Sequence, residues 1–158
     1  MTRSILMLVF PLLWVGLVPD QPVRPSPIEQ NKAVVRGYME EILNNSHWDE
    51  WDRFFGEAVV FNEMPISRDW IRNLSSSLRG AFPDLRLTIE DQIAEGDKVV
   101  TRVTFHGTHL GEFAGIAGTG NEVSYSGIAV DRIEDGKVVE MWHWSDSSSL
   151  MRQLKGEP

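Results

Sequence analysis
The chain has 158 residues, 42% hydrophobic and 24% charged, which is the make-up of one ordinary globular domain. Fifteen basic against 23 acidic residues give −8 at neutral pH, a balance that argues against nucleic acid or anionic lipid as a partner. There is no cysteine, so disulfide scaffolds, thiolate metal sites, iron–sulfur clusters and cysteine nucleophiles are excluded.

Residues 1–25 are set apart from the rest. Arg3 precedes an apolar run, Ile5 to Val18, broken only by Pro11. A basic start followed by a run of this length is the pattern of a secretory signal, and it is short of the ~20 residues a spanning helix needs. The expectation is export to the periplasm or beyond if this segment is genuine, and a cytoplasmic location otherwise. An uncleaved anchor, the one membrane contact to be expected, and a start near Val23 stay open. Pro19, Pro22 and Pro25 make residues 19–26 an extended linker.

Residues 26–158 read as a single domain. Ser26-Pro27-Ile28-Glu29 is a capping box with proline at the first helical position; Ile28, Val35, Met39 and Ile42 follow at helical spacing, and Asn44-Asn45-Ser46 ends the helix. Ser46 can cap a second, short helix carrying Trp48, Trp51 and Phe55. Ala58 to Asn62 reads as a strand or extended segment. A third helix opens at Ser67, shows Trp70, Leu74 and Leu78 at i, i+4, i+8, and closes at Gly80 before Pro83.

From Leu85 the period changes to two. Strands are expected from Leu85 to the Glu95-Gly96-Asp97 turn and over Val99–His109; Asp135-Gly136 joins Glu122–Glu134 to Lys137–Ser145 as a hairpin. The glycine-rich span Gly107 to Asn121 reads as a pocket rim or lid, and its sequence lacks the GK[ST] ending of a phosphate loop. Helices followed by an antiparallel sheet make the fold class α+β.

Alternation separates two faces. Val103, Phe105, Gly107 and His109, then Tyr125, Gly127 and Ala129, then Val139, Met141 and His143 share one parity, mostly apolar, with three residues able to do chemistry. Such a face closed by helices describes a pocket for a hydrophobic small molecule. The opposite parity carries Ile128, Val130, Trp142 and Trp144 among polar residues, and reads as a homodimer interface.

Phe82-Pro83-Asp84-Leu85, Gly107-Thr108-His109-Leu110-Gly111-Glu112-Phe113-Ala114-Gly115-Ile116, Arg132-Ile133-Glu134-Asp135-Gly136-Lys137 and Trp144-Ser145-Asp146 through Leu150-Met151-Arg152-Gln153-Leu154 resemble the SnoaL-like polyketide cyclase family over about residues 28–154. The resemblance implies the nuclear-transport-factor-2-like fold, a curved antiparallel sheet wrapped by three N-terminal helices around a cone-shaped pocket. It also implies aldol closure of a polyketide ester without metal or cofactor. Where those cyclases carry their acidic base this chain has His143, and where they carry a pocket histidine it has Ala129. Asn62 and His109 match polar residues of the family.

The candidate site is therefore His143 as base, with Asp146 either orienting it or capping the closing helix. Asn62, Phe105, His109, Tyr125, Ala129 and Met141 would surround the ligand. His109 could equally fix its loop, and Tyr125 could simply pack. No metal set is visible, since His106 and His109 point to opposite faces. The expected activity is a cofactor-free cyclase or isomerase acting by proton abstraction; the alternative is a binding or assembly module with the same pocket and no turnover.

Overall fold
The computed structural model describes residues 25–157; the apolar segment at Ile5–Val18 lies outside them. Helix α1 spans Pro27–Tyr38, its N-terminus capped by Ser26, whose hydroxyl accepts from the Glu29 amide. The helix then widens into a π-helical turn, Met39–Asn44. Val35, Tyr38, Met39 and Ile42 are buried, as the helical stripe requires, while Ile28 at the free end stays exposed.

The second helix differs from expectation. Ser46 adopts φ +59° and caps nothing; a 3-10 turn, Trp48–Glu50, runs into α2, Trp51–Phe54, with no side-chain cap. Phe55 leaves the helix and opens strand β1, Phe55–Phe61, where Trp51 stacks on it at 3.9 Å between ring centres. An aromatic pair of this kind stabilises by about 0.5–1.5 kcal/mol beyond the area it buries, enough to hold a one-turn helix against the sheet. A short strand β2, Met64–Ile66, returns antiparallel to β1.

Helix α3, Arg68–Ala81, is capped by Ser67 as the sequence predicts. Its buried residues are Ile71 and Ala81, whereas Trp70 and Leu74 of the expected apolar row remain partly exposed, Trp70 leaning on Phe61 at 5.3 Å.

Four long strands follow: β3 Arg86–Glu95, β4 Lys98–Thr108, β5 Glu122–Glu134 and β6 Lys137–Ser145. The six strands form one open sheet, ordered β2-β1-β6-β5-β4-β3. Consecutive long strands pair antiparallel, and β1 pairs parallel with β6. Helix α4, Ser147–Lys155, packs Leu150 and Leu154 beside Phe82, Val123 and Tyr125. The architecture is α+β, with four α-helices and six strands among the described residues; of the expected Ala58–Asn62 segment all but Asn62 lies in strand β1, and the closing segment is helix α4.

The two faces separate as alternation predicts, with one correction. Arg132 pairs with Glu140 but Ile133 pairs with Val138, so β6 carries an extra residue at Val139. A bulge of this kind reverses the parity beyond it. Val138 therefore points into the core, fully buried, and Val139 does not join the inner wall as expected.

Candidate functional site on the inner face of the sheet
The inner face of the three central strands carries its groups in rows. Thr101, Ala129 and His143 form one row, Val103 and Gly127 the next, Phe105 and Tyr125 the one after, and Val99, Asp131 and Met141 the row on the other side of His143. His143 supplies the imidazole of this face. Its ring meets Phe105 edge-on at 5.7 Å, and Phe105 in turn stacks on Tyr125 at 4.9 Å.

The Nε2 atom of His143 is buried and has no hydrogen-bond partner. A Cβ placed on Gly127 would lie 3.1 Å from that nitrogen and 3.0 Å from the Phe105 ring, so the missing side chain is what leaves Nε2 room. Burial lowers the imidazole pKa below the usual histidine value, which keeps the ring neutral and basic. A neutral imidazole nitrogen left unsatisfied in an apolar wall is costly to the fold unless something is meant to meet it.

Tyr125 is buried, and among the described residues its hydroxyl makes no hydrogen bond within the chain. Burial pushes its phenol up to about 12. It is therefore always protonated near neutrality and always a donor.

Asn62 takes a different position from the one the resemblance implies. It follows β1 in the left-handed region, φ +45°, at the β1–β2 turn. Its backbone amide donates to the Met141 carbonyl at 2.9 Å. Its side chain donates to the His143 carbonyl at 3.2 Å and accepts from the His143 amide at 2.9 Å. Both polar atoms are thus used on the backbone of β6. Asn62 extends the parallel ladder by one rung, and it holds the strand on which His143 rides.

Asp146 takes the capping role. Its carboxylate accepts from the Ser149 amide at 2.9 Å and from the Ser148 hydroxyl at 3.0 Å, and those bonds hold its pKa below the usual carboxylate range. It is exposed and makes no bond to His143.

His109 is fully buried but belongs to the loop. Its Nδ1 accepts from the Thr119 amide at 3.4 Å and lies 3.1 Å from the Thr119 hydroxyl, while its backbone pairs with Asn121 and Gly120 across the base of the loop. The Leu110 and Gly111 amides both donate to the Ala81 carbonyl, which pins the loop to the end of α3. A side chain on Gly111 would collide with the Gly80 carbonyl. Gly111 is thus required by close docking on a helix end. His109 and Phe82 approach at 5.3 Å in a second apolar cluster, away from His143. Ala129 and Met141 are buried beside His143, and Phe105 is half-buried between the two clusters.

Two surface clefts flank the sheet, of about 390 and 380 Å³. The first is lined by Asp84, His106, Ser124 and Gln153 among others, the second by Arg36, Glu40 and Arg86. Neither touches His143. Among the described residues no cluster of three histidines or carboxylates is placed to hold a metal ion.

One polar group on this face escapes the sequence reading altogether. Asp131 lies one diagonal step from His143, fully buried, and the Tyr38 hydroxyl donates to its carboxylate at 3.1 and 3.3 Å. The signal was present: the parity of Tyr125, Gly127 and Ala129 continues to Asp131, and Tyr38 stands at i+3 from Val35.

The comparisons with known proteins agree with this fold. No curated protein matches the chain significantly by sequence. Among solved structures, AclR, a proposed hydroxylase of Streptomyces galilaeus, is 29% identical with a TM-score of 0.70, the match covering 83% of this chain and 84% of that one. IdmH, a proposed polyketide cyclase of Streptomyces antibioticus, is 25% identical with a TM-score of 0.73 over 80% of this chain and 99% of that one. A SnoaL-like cyclase structure from Jannaschia sp. CCS1, 24% identical with a TM-score of 0.72 over 86% of this chain and 99% of that one, shares the fold. The profile of the SnoaL-like polyketide cyclases matches residues 33–154, from the second turn of α1 to the last turn of α4, and so takes in every element that carries a group described above. With that span matched and the same fold in its relatives, this chain belongs to the SnoaL-like polyketide cyclase family.

Proposed function
We propose that the chain takes a hydrophobic carbonyl compound of the polyketide type onto its inner face and removes a proton from the carbon next to the carbonyl. The observation that carries this reading is the buried, unpartnered Nε2 of His143 over the gap left by Gly127. In the reaction the C–H proton passes to Nε2, and the electron pair of that bond moves onto the carbonyl oxygen as an enolate. Tyr125, permanently protonated, is the donor placed two rows away to meet that oxygen. The enolate carbon then attacks a second carbonyl of the same molecule, closing a ring whose new alkoxide takes the proton from Nε2, or the proton returns from Nε2 to another carbon, giving an isomer. Asn62 serves from behind, by fixing the β6 backbone.

Exchange with solvent tests proton abstraction without knowledge of the natural substrate. A hydrophobic β-keto ester incubated with the protein in D₂O should gain deuterium at its activated carbon faster than in buffer. His143→Ala should cut the enzyme-catalysed rate by about 10²-fold or more, the usual contribution of a general base, with ester binding retained. Binding without exchange in the wild type would instead make this a ligand-binding module.

A further inference from the structure
The Tyr38–Asp131 pair is unlike the other polar contacts of the protein. Every ion pair among the described residues lies at least partly in solvent, between arginine, lysine or histidine and a carboxylate. Asp131 is fully buried, has no cation in bonding range, and has the Tyr38 phenol as its one side-chain partner. The contact joins the last residue of α1 to the middle of β5, across the interior of the protein. The side-chain bonds between α1 and the β3–β4 hairpin, Asn31 to the Gly96 carbonyl and Arg36 to Gln92, are by contrast exposed to water. Directly behind Tyr38 the helix turns π-helical, which shifts its ladder by one residue at this point.

We propose that Tyr38 and Asp131 form a proton-dependent clasp, which holds the C-terminal end of α1 on the sheet while Asp131 is protonated and loosens as that proton is lost.

The physical basis is the cost of a bare carboxylate in an apolar interior. One phenol hydroxyl cannot replace the several donors that water gives a charged carboxylate, so the closed form prefers the neutral acid. Burial raises Asp131 to about 7, with the Tyr38 bond acting weakly in the opposite direction. The groups facing it from each neighbouring element do not alter this. From β4 its register partner is Val99 with Thr101 one step on, and from β6 it is Met141 with His143 one step on. His143 is held neutral by its own burial, Tyr38 is raised well above its usual value, and among the described residues no cation forms a salt bridge with Asp131. Lys98 and Arg132 lie on the opposite parity, where Arg132 bonds Glu134 and Glu140.

The direction follows by linkage. The closed state binds the proton up to about pH 7, whereas an opened, hydrated Asp131 has the ordinary carboxylate pKa and has released it well below that. Raising the pH therefore favours opening, by as much as about a hundredfold in the open/closed ratio between pH 5 and 8.

Amide hydrogen exchange of the full chain, followed over residues 27–44 from pH 5 to 8 and corrected for the intrinsic rate, measures this. The expected result is that protection of α1 falls as pH rises in the wild type and stays flat in Asp131→Asn. Tyr38→Phe should keep the dependence but move it to higher pH, because it removes the bond that favours the carboxylate. Carboxyl ¹³C titration of the wild type provides a check that needs no variant, with an aspartate midpoint expected near 7. An Asp131 midpoint in the ordinary carboxylate range, or an equal pH dependence in Asp131→Asn, would overturn the clasp. Neither readout involves turnover, so the reaction at His143 stands or falls separately.

Discussion
Two histidines carry the same inward parity, each with a buried Nε2 that has no hydrogen-bond partner, and they differ in what else holds the ring. His109 is fastened at Nδ1 by the amide and hydroxyl of Thr119 ten residues later, so its ring belongs to a loop. His143 is fastened through its backbone by Asn62, which leaves the Nε2 edge of the ring free toward Gly127. Burial is the whole cause of the lowered pKa of His143, with no carboxylate opposing it. The sign is definite: the neutral, basic form persists to pH values below the ordinary histidine range. The acid limb of kcat/KM in the deuterium-exchange reaction should thus fall below pH 6.5 and disappear in His143→Ala. A limb centred well above 6.5 would mean that the Asp131 carboxylate, one diagonal step away, charges the ring and outweighs its burial.

At the scale of elements, Asn62 and Asp146 separate support from chemistry. Each is a short polar side chain at the end of a regular element; the resemblance implies Asn62 at the ligand, and the sequence leaves Asp146 between orienting His143 and capping the closing helix. Asn62→Ala strips two bonds from the β6 backbone at a left-handed position, and should lower stability by about 1–3 kcal/mol in urea melts. It should also slow exchange at the substrate carbon, because β6 carries His143. Asp146→Ala loses only a helix cap, about 1 kcal/mol, and should leave exchange unchanged. Slow exchange in Asp146→Ala would return that residue to the site. The helix caps at Ser26 and Ser67, the Asp135-Gly136 hairpin and the two sheet faces were all legible, because each rests on a local rule: a side chain reaching its own helix end, a turn needing positive φ, a period of two. The bulge at Val139 was not, since one added residue leaves no mark in composition and appears only as a register shift against β5. The bonds of Asn62 to His143 span 81 positions, and those of Tyr38 to Asp131 span 93. No local pattern announces a contact at that distance. Asp131 also reads naturally as a surface residue, because carboxylates are seldom buried without a cation.

For the whole molecule the outer face of the sheet is the unresolved feature of the chain's surface chemistry. Ile93, Val100, Val130 and Trp142 form one cross-strand row, and Arg102, Ile128 and Trp144 belong to the next. Ile93 is 65% exposed, Trp144 59% and Ile128 47%, whereas Trp142 is half-covered, with the Lys98 ammonium 5.9 Å from its ring. On one side the apolar rows are bounded by Glu95, Lys98, Arg132 and Glu140, and on the other by Thr88, Thr104 and Ser126. An apolar centre inside a polar rim is the anatomy of a protein interface. The charged rim holds both signs, so a second copy turned by a two-fold axis can set acid against base along it. We propose that this face joins two copies of the chain. The exposed pair Ile128 and Trp144, register partners on β5 and β6, should supply its centre. At about 25 cal/mol per Å² of apolar surface, covering a tryptophan and an isoleucine on both copies is worth several kcal/mol of association. Ile128→Ser with Trp144→Ser should shift the protein from dimer to monomer in analytical ultracentrifugation. The inner face and its exchange rate should remain intact, because both side chains point away from it. A wild-type protein that sediments as a monomer at micromolar concentration would remove the proposal.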